Sequence, residues 1–140
     1  MILSDFKDFP KQGRLLGIDW GARRAGLAVS DASRGFVFPR EVISTADDLI
    51  GKILACVNSE KVAGIIIGLP CHADGTDSET TVKVREFAVE LSAATDIPIA
   101  FVDERLTSVE AKELSESDID SIAAAIILEN AIAMIKRTTP

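Results

Sequence analysis

Four carboxylates interrupt or end apolar segments of this 140-residue chain, where a hydrophobic core would favour apolar side chains. Asp19 lies inside the apolar run of residues 14–20, Asp103 and Glu104 end a later run, and Asp120 opens a long apolar helical pattern. A buried carboxylate is costly unless it is paired, hydrogen-bonded or bound to a metal. Clusters of carboxylate oxygens suit Mg²⁺ or Mn²⁺ better than zinc. These acids therefore indicate a divalent-metal site, provided that the fold brings them together.

Phosphodiester hydrolysis is the chemistry that such a site would support. Two ions about 3.5–4 Å apart can activate a water molecule and stabilise the leaving oxygen. Successive residues of a strand point to opposite faces of a sheet, so only one of Asp103 and Glu104 can face the site. The acids thus predict a metal-dependent hydrolase in which Asp19, one of that pair and Asp120 share the catalytic centre.

Each acid also has a purely structural interpretation. Asp19 could accept hydrogen bonds from the backbone of the turn at Gly21, as Asp often does in turns. The acid pair at the end of the later run could form an ion pair with Arg105 or cap the helix predicted after Thr107. Asp120 would be stabilised at a helix N-terminus by the helix dipole, and Asp118 competes with it for that role. Only the convergence of the acids separates the two interpretations.

Five apolar runs predict five strands. Tight polar turns separate the first three, which is typical of an antiparallel meander. The fourth is a β-branched run, as expected for a strand buried on both faces of a sheet. The residues before the first run lack periodicity and are expected to form a loose lead-in, 1–13, to a single domain, 14–137. The five runs are residues 14–20, 25–30, 34–39, 62–67 and 97–102.

The helices are predicted from apolar spacing and capping residues. Ser44 or Thr45 is expected to cap the first helix, and the second is expected to start within residues 77–79. Residues 107–110 form a capping-box pattern for a short third helix, and a largely buried last helix is expected at 120–136. The order of elements predicts an α/β fold with a mixed five-stranded sheet flanked by helices.

The bulk composition narrows the function classes. The net charge of −7 counts against a nucleic-acid partner without excluding one, because a local basic patch can survive a negative total. Cys56, Cys71 and the single histidine, His72, cannot supply a zinc site or a His-based nucleophile. We expect neither a signal peptide nor a membrane-spanning helix, because the first eight residues carry two acids and no uninterrupted apolar run has membrane length. We therefore expect a soluble protein of the reducing cytoplasm with no membrane partner.

Four blocks of sequence, in order, resemble the YqgF/RuvX family. The first contains Gly-Ile-Asp-Trp-Gly around Asp19, and the third contains the acid pair at 103–104. The resemblance extends over residues 14–136, which is nearly the whole chain, and no single block would be specific. The blocks are residues 16–31, residues 66–70 followed by 74–76, residues 102–111 and residues 119–124.

The resemblance implies a ribonuclease H-like fold related to Holliday-junction resolvases, in a nuclease that processes the precursor of 16S ribosomal RNA. Asp19, the Asp103 and Glu104 pair, and Asp120 fall on the acidic positions of the family. We prefer Glu104 as the member of the pair that binds metal, with Asp103 as the alternative. The implied cofactor is Mg²⁺ or Mn²⁺, in a two-metal site held by Asp19, Glu104 and Asp120.

The resemblance also implies how substrate would bind. Arg23 and Arg105 fall on recurrent basic positions and could contact phosphate through two hydrogen bonds each. Arg24, which follows Arg23 directly, is a further candidate for phosphate binding. The loop from Gly68 to Pro70 would line the cleft. The implied partner is structured RNA or branched DNA, bound by a monomer or a homodimer.

Three other functions compete with ribosomal RNA processing. The first is resolution of Holliday junctions in DNA, which some family members are assigned. The second is a nuclease-like binding module, because residues 111–119 carry one Lys and three acids where the family usually has a longer basic loop. The third is an actin-like ATP-binding domain, since those folds also open with a Gly-x-Asp-x-Gly turn. They need two such domains, however, and this chain has room for one.

Overall fold

The described part of the protein is a mixed sheet with helices on both faces. The computed structural model describes residues 1–71, 74–103 and 116–138, leaving aside the side chains of residues 116–120 and 138. Within these ranges the elements, in chain order, are β1 (Ile2–Leu3), β2 (Arg14–Asp19), β3 (Arg24–Ser30), β4 (Val37–Ser44), α1 (Leu49–Glu60), β5 (Val62–Leu69), α2 (Glu79–Ala94), β6 (Ile99–Asp103) and α3 (Glu116–Thr138).

The strands lie in the order β1-β6-β5-β2-β3-β4. Strands β1, β6, β5 and β2 are parallel, whereas β2, β3 and β4 form an antiparallel meander. Strand β2 is therefore an interior strand, between β5 on one side and β3 on the other. This arrangement confirms the predicted mixed sheet and its antiparallel beginning.

The sheet has one strand more than the five predicted, because β1 pairs with β6. Ile2 lies opposite Ile99, and the Ile99 backbone N–H donates to the Met1 carbonyl over 2.8 Å. Phe6 and Phe9 are also buried, with their rings packed edge to face. The expectation of a loose lead-in was therefore wrong for this part of residues 1–13. A two-residue strand shows no periodicity, and its partner lies almost a hundred residues further along the chain.

Two apolar layers cover the two faces of the sheet. Alternate residues of β2 show the division: Leu16 and Ile18 pack in the layer under α1 and α2, whereas Leu15 packs in the layer under α3. Gly17 also faces α3, since a Cβ atom added there would lie 2.8 Å from the carbonyl oxygen of Ala124. Helix α3 therefore rests directly on β2.

The first helix begins later than predicted. Asp48 is its N-cap and its side chain accepts from the Gly51 backbone N–H, so the prediction of a Ser44 or Thr45 cap was wrong. Ser44 is instead the last residue of β4. The pairing of β4 with β3 includes Pro39, which lies opposite Ala28. A proline is tolerated there because β4 lies at the edge of the sheet.

The other helices follow the prediction more closely. Helix α2 begins at Glu79, within the predicted range, and Ser78 is its N-cap. Helix α3 contains the predicted range 120–136 and begins four residues earlier, at Glu116. The capping-box pattern at 107–110 lies outside the described residues. No helix in the described ranges has the length and apolarity needed to span a membrane.

Candidate active site

Asp19 is the last residue of β2, at the carboxyl end of the parallel strands. It is half-buried, lies opposite Gly26 of β3, and directly follows Ile18, which pairs with Ile67 of β5. Because Gly17 faces α3 and side chains alternate along a strand, Asp19 lies on the α3 face of the sheet. The sequence predicted that Asp19 binds metal. The fold places it at the carboxyl end of an interior strand, on the face that α3 covers.

Asp103 ends β6 at the same edge of the sheet but on the other face. Ala100 and Val102 pack in the layer under α3, so Asp103 points towards the layer of α1 and α2. It pairs with Leu69 of β5, the strand that separates β6 from β2. The backbones of Asp19 and Asp103 are thus about two strand spacings apart, roughly 10 Å across the sheet. Glu104 lies outside the described residues.

Asp120 belongs to the early part of α3, one helical turn before Ala124. Ala124 lies over Gly17, two residues before the end of β2. Near its C-terminus, α3 meets the other end of the sheet, where Lys136 and Val37 line a common cavity. The helix therefore runs with its N-terminal part towards the end of β2 that carries Asp19. The side chain of Asp120 is not among those that the structure describes.

The predicted metal ligands are described only in part. Among the described residues, no group of three or more His, Cys, Asp or Glu side chains is close enough to hold a metal ion. Of the predicted trio, only the side chain of Asp19 belongs to the described part of the chain.

The turn after Asp19 carries two of the predicted phosphate-binding arginines. Arg23 is exposed, and its carbonyl accepts from the Thr45 backbone N–H over 3.0 Å. The Thr45 hydroxyl also donates to the Gly21 carbonyl over 2.7 Å. Arg24 begins β3 and is half-buried, whereas Arg105 lies outside the described residues. Thr45, which the sequence suggested as a helix cap, instead fixes this turn to the end of β4.

The predicted cleft loop at Gly68 and Pro70 is fixed to α2. Gly68 lies within β5, and the Pro70 carbonyl accepts a hydrogen bond from the buried Thr81 hydroxyl. Thr81 also forms a capping box with Ser78: the Ser78 N–H donates to the Thr81 hydroxyl over 2.8 Å, and the Thr81 N–H donates to the Ser78 hydroxyl over 3.1 Å. Sequence analysis missed Thr81, because the usual capping-box signature has Glu or Gln three residues after the N-cap.

The family model described as "RuvX: Holliday junction resolvase" matches residues 13–134. The chain belongs to the RuvX family. A relative from Maridesulfovibrio salexigens, named "Putative pre-16S rRNA nuclease", is 43% identical over 86% of this chain and 98% of its own length. A relative of the same name from Rickettsia canadensis is 31% identical over 98% of this chain and 99% of its own length. The family resemblance predicted from the four blocks is confirmed.

Solved structures similar to this RuvX-family chain include RuvC and a mitochondrial Holliday junction resolvase. Thermus thermophilus RuvC in complex with a Holliday junction substrate has a TM-score of 0.58 at 17% identity, covering 90% of this chain and 97% of RuvC. The yeast mitochondrial Holliday junction resolvase Ydc2 has a TM-score of 0.57 at 12% identity, covering 95% of this chain and 84% of Ydc2. At such identities the likeness shows the fold, and the predicted ribonuclease H-like class is confirmed.

Proposed function

We propose that this RuvX-family chain is a metal-dependent nuclease that hydrolyses phosphodiester bonds in the precursor of 16S ribosomal RNA. Relatives that match it over most of both chains carry the name of a nuclease for that substrate. The observation that carries the proposal is the position of Asp19, a half-buried carboxylate at the carboxyl end of an interior strand and on the face covered by α3. Ligand sites of open α/β sheets lie at this edge.

The path of α3 supports Asp120 as a partner of Asp19. The helix is in contact with β2 at Gly17, and its N-terminal part runs towards the end of that strand. Asp120 precedes Ala124 by four residues, so both positions lie on the same side of the helix. Ala124 faces the sheet, and the sheet face nearest to Asp120 is therefore the one that carries Asp19.

The alternation of side chains along β6 supports Glu104 over Asp103 as the third acid. Asp103 points to the face opposite Asp19, because Val102 before it packs under α3. Continued alternation would turn the next side chain, Glu104, to the α3 face. We therefore assign catalysis to Asp19, Glu104 and Asp120, with Asp103 outside the metal site.

A hard divalent cation fits this donor set, since the three residues offer carboxylate oxygens only. Asp19, Glu104 and Asp120 would hold one or two Mg²⁺ or Mn²⁺ ions, which supply an activated water and charge stabilisation in nucleases of this kind. The side chains of Arg23, Arg24 and Arg105 would pair with substrate phosphates, and the loop at Gly68 and Pro70 would line the cleft. The turn that carries Arg23 is held by Thr45, so its basic side chain starts from a fixed backbone.

The proposed partner is structured RNA, bound by a monomer or homodimer. The proposed compartment is the cytoplasm, where the free thiols of Cys56 and Cys71 would stay reduced.

The test is cleavage of a model RNA that spans a 16S rRNA maturation boundary, measured with Mg²⁺ or Mn²⁺ and with chelator. Asp19→Asn should lower the cleavage rate at least a hundredfold, because a neutral amide holds a divalent cation poorly, while circular dichroism stays unchanged. Glu104→Gln should act similarly, and Asp103→Asn is the matched control with a small effect. Cleavage by Asp19→Asn at the wild-type rate would exclude the proposed centre.

Resolution of Holliday junctions is the second candidate function. The family description and the similarity to RuvC favour it. A synthetic four-way DNA junction, offered in competition with the model RNA, separates the two: preferred incision of the junction near its centre would make this chain a resolvase. If highly purified protein cuts neither, the nuclease-like binding module remains, consistent with the net charge of −7.

A further inference from the structure

A cavity opens between the start of α1 and the middle of α2, on the sheet face opposite Asp19. It encloses about 500 Å³, and pockets that bind ligands usually enclose about 300–1,000 Å³. Leu49 and Ile50 of α1 form part of its apolar wall. The rings of Trp20 and Phe87 form the rest, with their centroids 6.3 Å apart. The cavity can therefore hold an apolar side chain of another molecule.

Acidic side chains outnumber basic ones around this cavity. Asp48, Glu86 and Glu90 line it, and Lys83 is the only positively charged side chain among the described residues that do so. Within the described part of the chain, neither Glu86 nor Glu90 forms an ion pair. The net charge of −7 gives the long-range field the same sign. The cavity therefore attracts cationic groups.

The outer face of α2 exposes two apolar side chains beside the acidic rim of the cavity. Val82 is 47% exposed and Val89 is 61% exposed. They lie four residues before and three residues after Glu86, so the three side chains are neighbours on the helix surface. A small molecule confined to the cavity would leave both valines in water, whereas a protein segment that crosses α2 covers them. The exposed valines therefore favour a protein as the occupant.

We infer that this cavity and the outer face of α2 form a docking site for a basic segment of a partner protein. An apolar side chain of the segment enters the cavity against Trp20 and Phe87, and its Lys or Arg side chains pair with Glu86 and Glu90. Protein interfaces commonly combine a buried apolar anchor with a charged rim in this way. The inference does not depend on the proposed nuclease activity, because none of these residues belongs to the acidic centre.

The charge of this surface disfavours two other occupants. Nucleic acid binds where Lys and Arg neutralise phosphates, and here the phosphates would approach Glu86 and Glu90 instead. In a symmetric dimer the same surface is presented by both copies, so these carboxylates would face their own equivalents. Nucleic acid and a second copy are therefore outcomes that count against the docking site.

Trp20 makes binding at this site directly measurable. It is the only tryptophan of the chain, and it is half-buried in the cavity wall. Tryptophan emission moves to shorter wavelength when water around the indole ring is replaced by apolar groups. An apolar side chain that enters the cavity should therefore shift the emission, whereas a ligand bound elsewhere leaves it unchanged.

The experiment begins with a random library of short peptides displayed on phage and selected against the full chain. Enriched sequences are synthesised without tryptophan and titrated into the protein while Trp20 emission is recorded. We expect sequences that combine Lys or Arg with a large apolar residue, and a saturable shift to shorter wavelength. Higher salt concentration should weaken the binding severalfold, because the charges of the rim are exposed to solvent.

Two double variants test the two parts of the docking site. Glu86→Gln with Glu90→Gln should weaken the peptide affinity at least fivefold and reduce its salt dependence. Asp8→Asn with Glu41→Gln is the matched control, because it removes the same charge from exposed carboxylates outside the cavity. Val82→Ser with Val89→Ser should weaken the affinity severalfold without a change in salt dependence.

Five results would overturn the docking site. The first is a selection that enriches no sequence, or only sequences without an excess of Lys and Arg. The second is peptide binding that leaves Trp20 emission unchanged, and the third is an equal loss of affinity in the Glu86→Gln, Glu90→Gln variant and its control. The fourth is single-stranded RNA that shifts Trp20 emission, which would make this a nucleic-acid site. The fifth is a wild-type dimer in sedimentation that Val82→Ser with Val89→Ser dissociates, which would assign the surface to a second copy.

Discussion

Gly17 sets the distance between α3 and the sheet. A Cβ atom there would lie 2.8 Å from the Ala124 carbonyl oxygen and 3.0 Å from Leu128 Cβ, and a backbone atom cannot rotate away. We expect Gly17→Ala to lower the free energy of unfolding by about 1–3 kcal/mol, as overpacking does. It should also reduce cleavage, since α3 carries Asp120.

Urea unfolding measures the first effect of Gly17→Ala, and the RNA cleavage assay measures the second. Gly35→Ala is the matched control, because a Cβ atom there meets only Ser33 Oγ, at an ordinary 3.6 Å. Equal stability of the two variants would show that α3 does not press on β2 as described.

Asp19 could be singled out from the sequence because carboxylates are unusual in apolar runs. The fold places it at the carboxyl end of an interior strand, and its role as a metal ligand stays a prediction. Thr45 and Thr81 were not predicted to fix the turn at Arg23 and the loop at Pro70. Their hydroxyls bond backbone carbonyls that are 24 and 11 residues away, and sequence spacing does not reveal such pairs.

The Thr81 hydroxyl joins α2 to the loop that follows β5. Ser78→Ala should cost about 1 kcal/mol of unfolding free energy, as the loss of an N-cap does, but it leaves the bond from Thr81 to Pro70. Thr81→Val removes that bond and one half of the capping box. We therefore expect Thr81→Val to reduce cleavage more than Ser78→Ala does. Both variants are measured for stability and for kcat/KM. An equal fall in kcat/KM would contradict the role of the hydrogen bond from Thr81 to Pro70.

Element boundaries were predicted least well where tertiary pairing decides them. The third strand was expected at residues 34–39, but β4 covers Val37–Ser44 because β3 offers partners along that whole length. The end of the strand in turn moves the start of α1 to Leu49. Helices α2 and α3 were predicted better, since local spacing and capping residues define them.

At the scale of the whole molecule, Phe9 anchors the N-terminal segment in the apolar layer under α3. It is 2% exposed and its ring lies against Gly64 of β5, where an added Cβ atom would be 2.6 Å from Phe9 Cζ. Phe9→Ala should lower the free energy of unfolding by about 3–5 kcal/mol. Phe36→Ala, at an exposed ring, is the matched control and should change it by less than about 0.5 kcal/mol. Similar urea midpoints for both variants would contradict the packing of residues 1–13.

Alkaline pH should destabilise the protein through Cys56. Burial raises the pKa of this thiol above its ordinary value of 9.0, and Glu60 and Glu41 add to the effect. Because the folded pKa is higher than the unfolded one, stability is intact below the unfolded value and falls as pH rises through the folded value. We expect Cys56→Ala to lose less stability than wild type between pH 7.5 and 10.5, measured by urea unfolding. An identical loss would contradict the assignment.

The pairing of β1 with β6 has a consequence for biosynthesis. During translation β1 leaves the ribosome nearly a hundred residues before Ile99, so it cannot join the sheet until most of the domain has emerged. Phe6 and Phe9 belong to the apolar layer that α3 completes, so this layer stays open until residues 124–135 have also emerged.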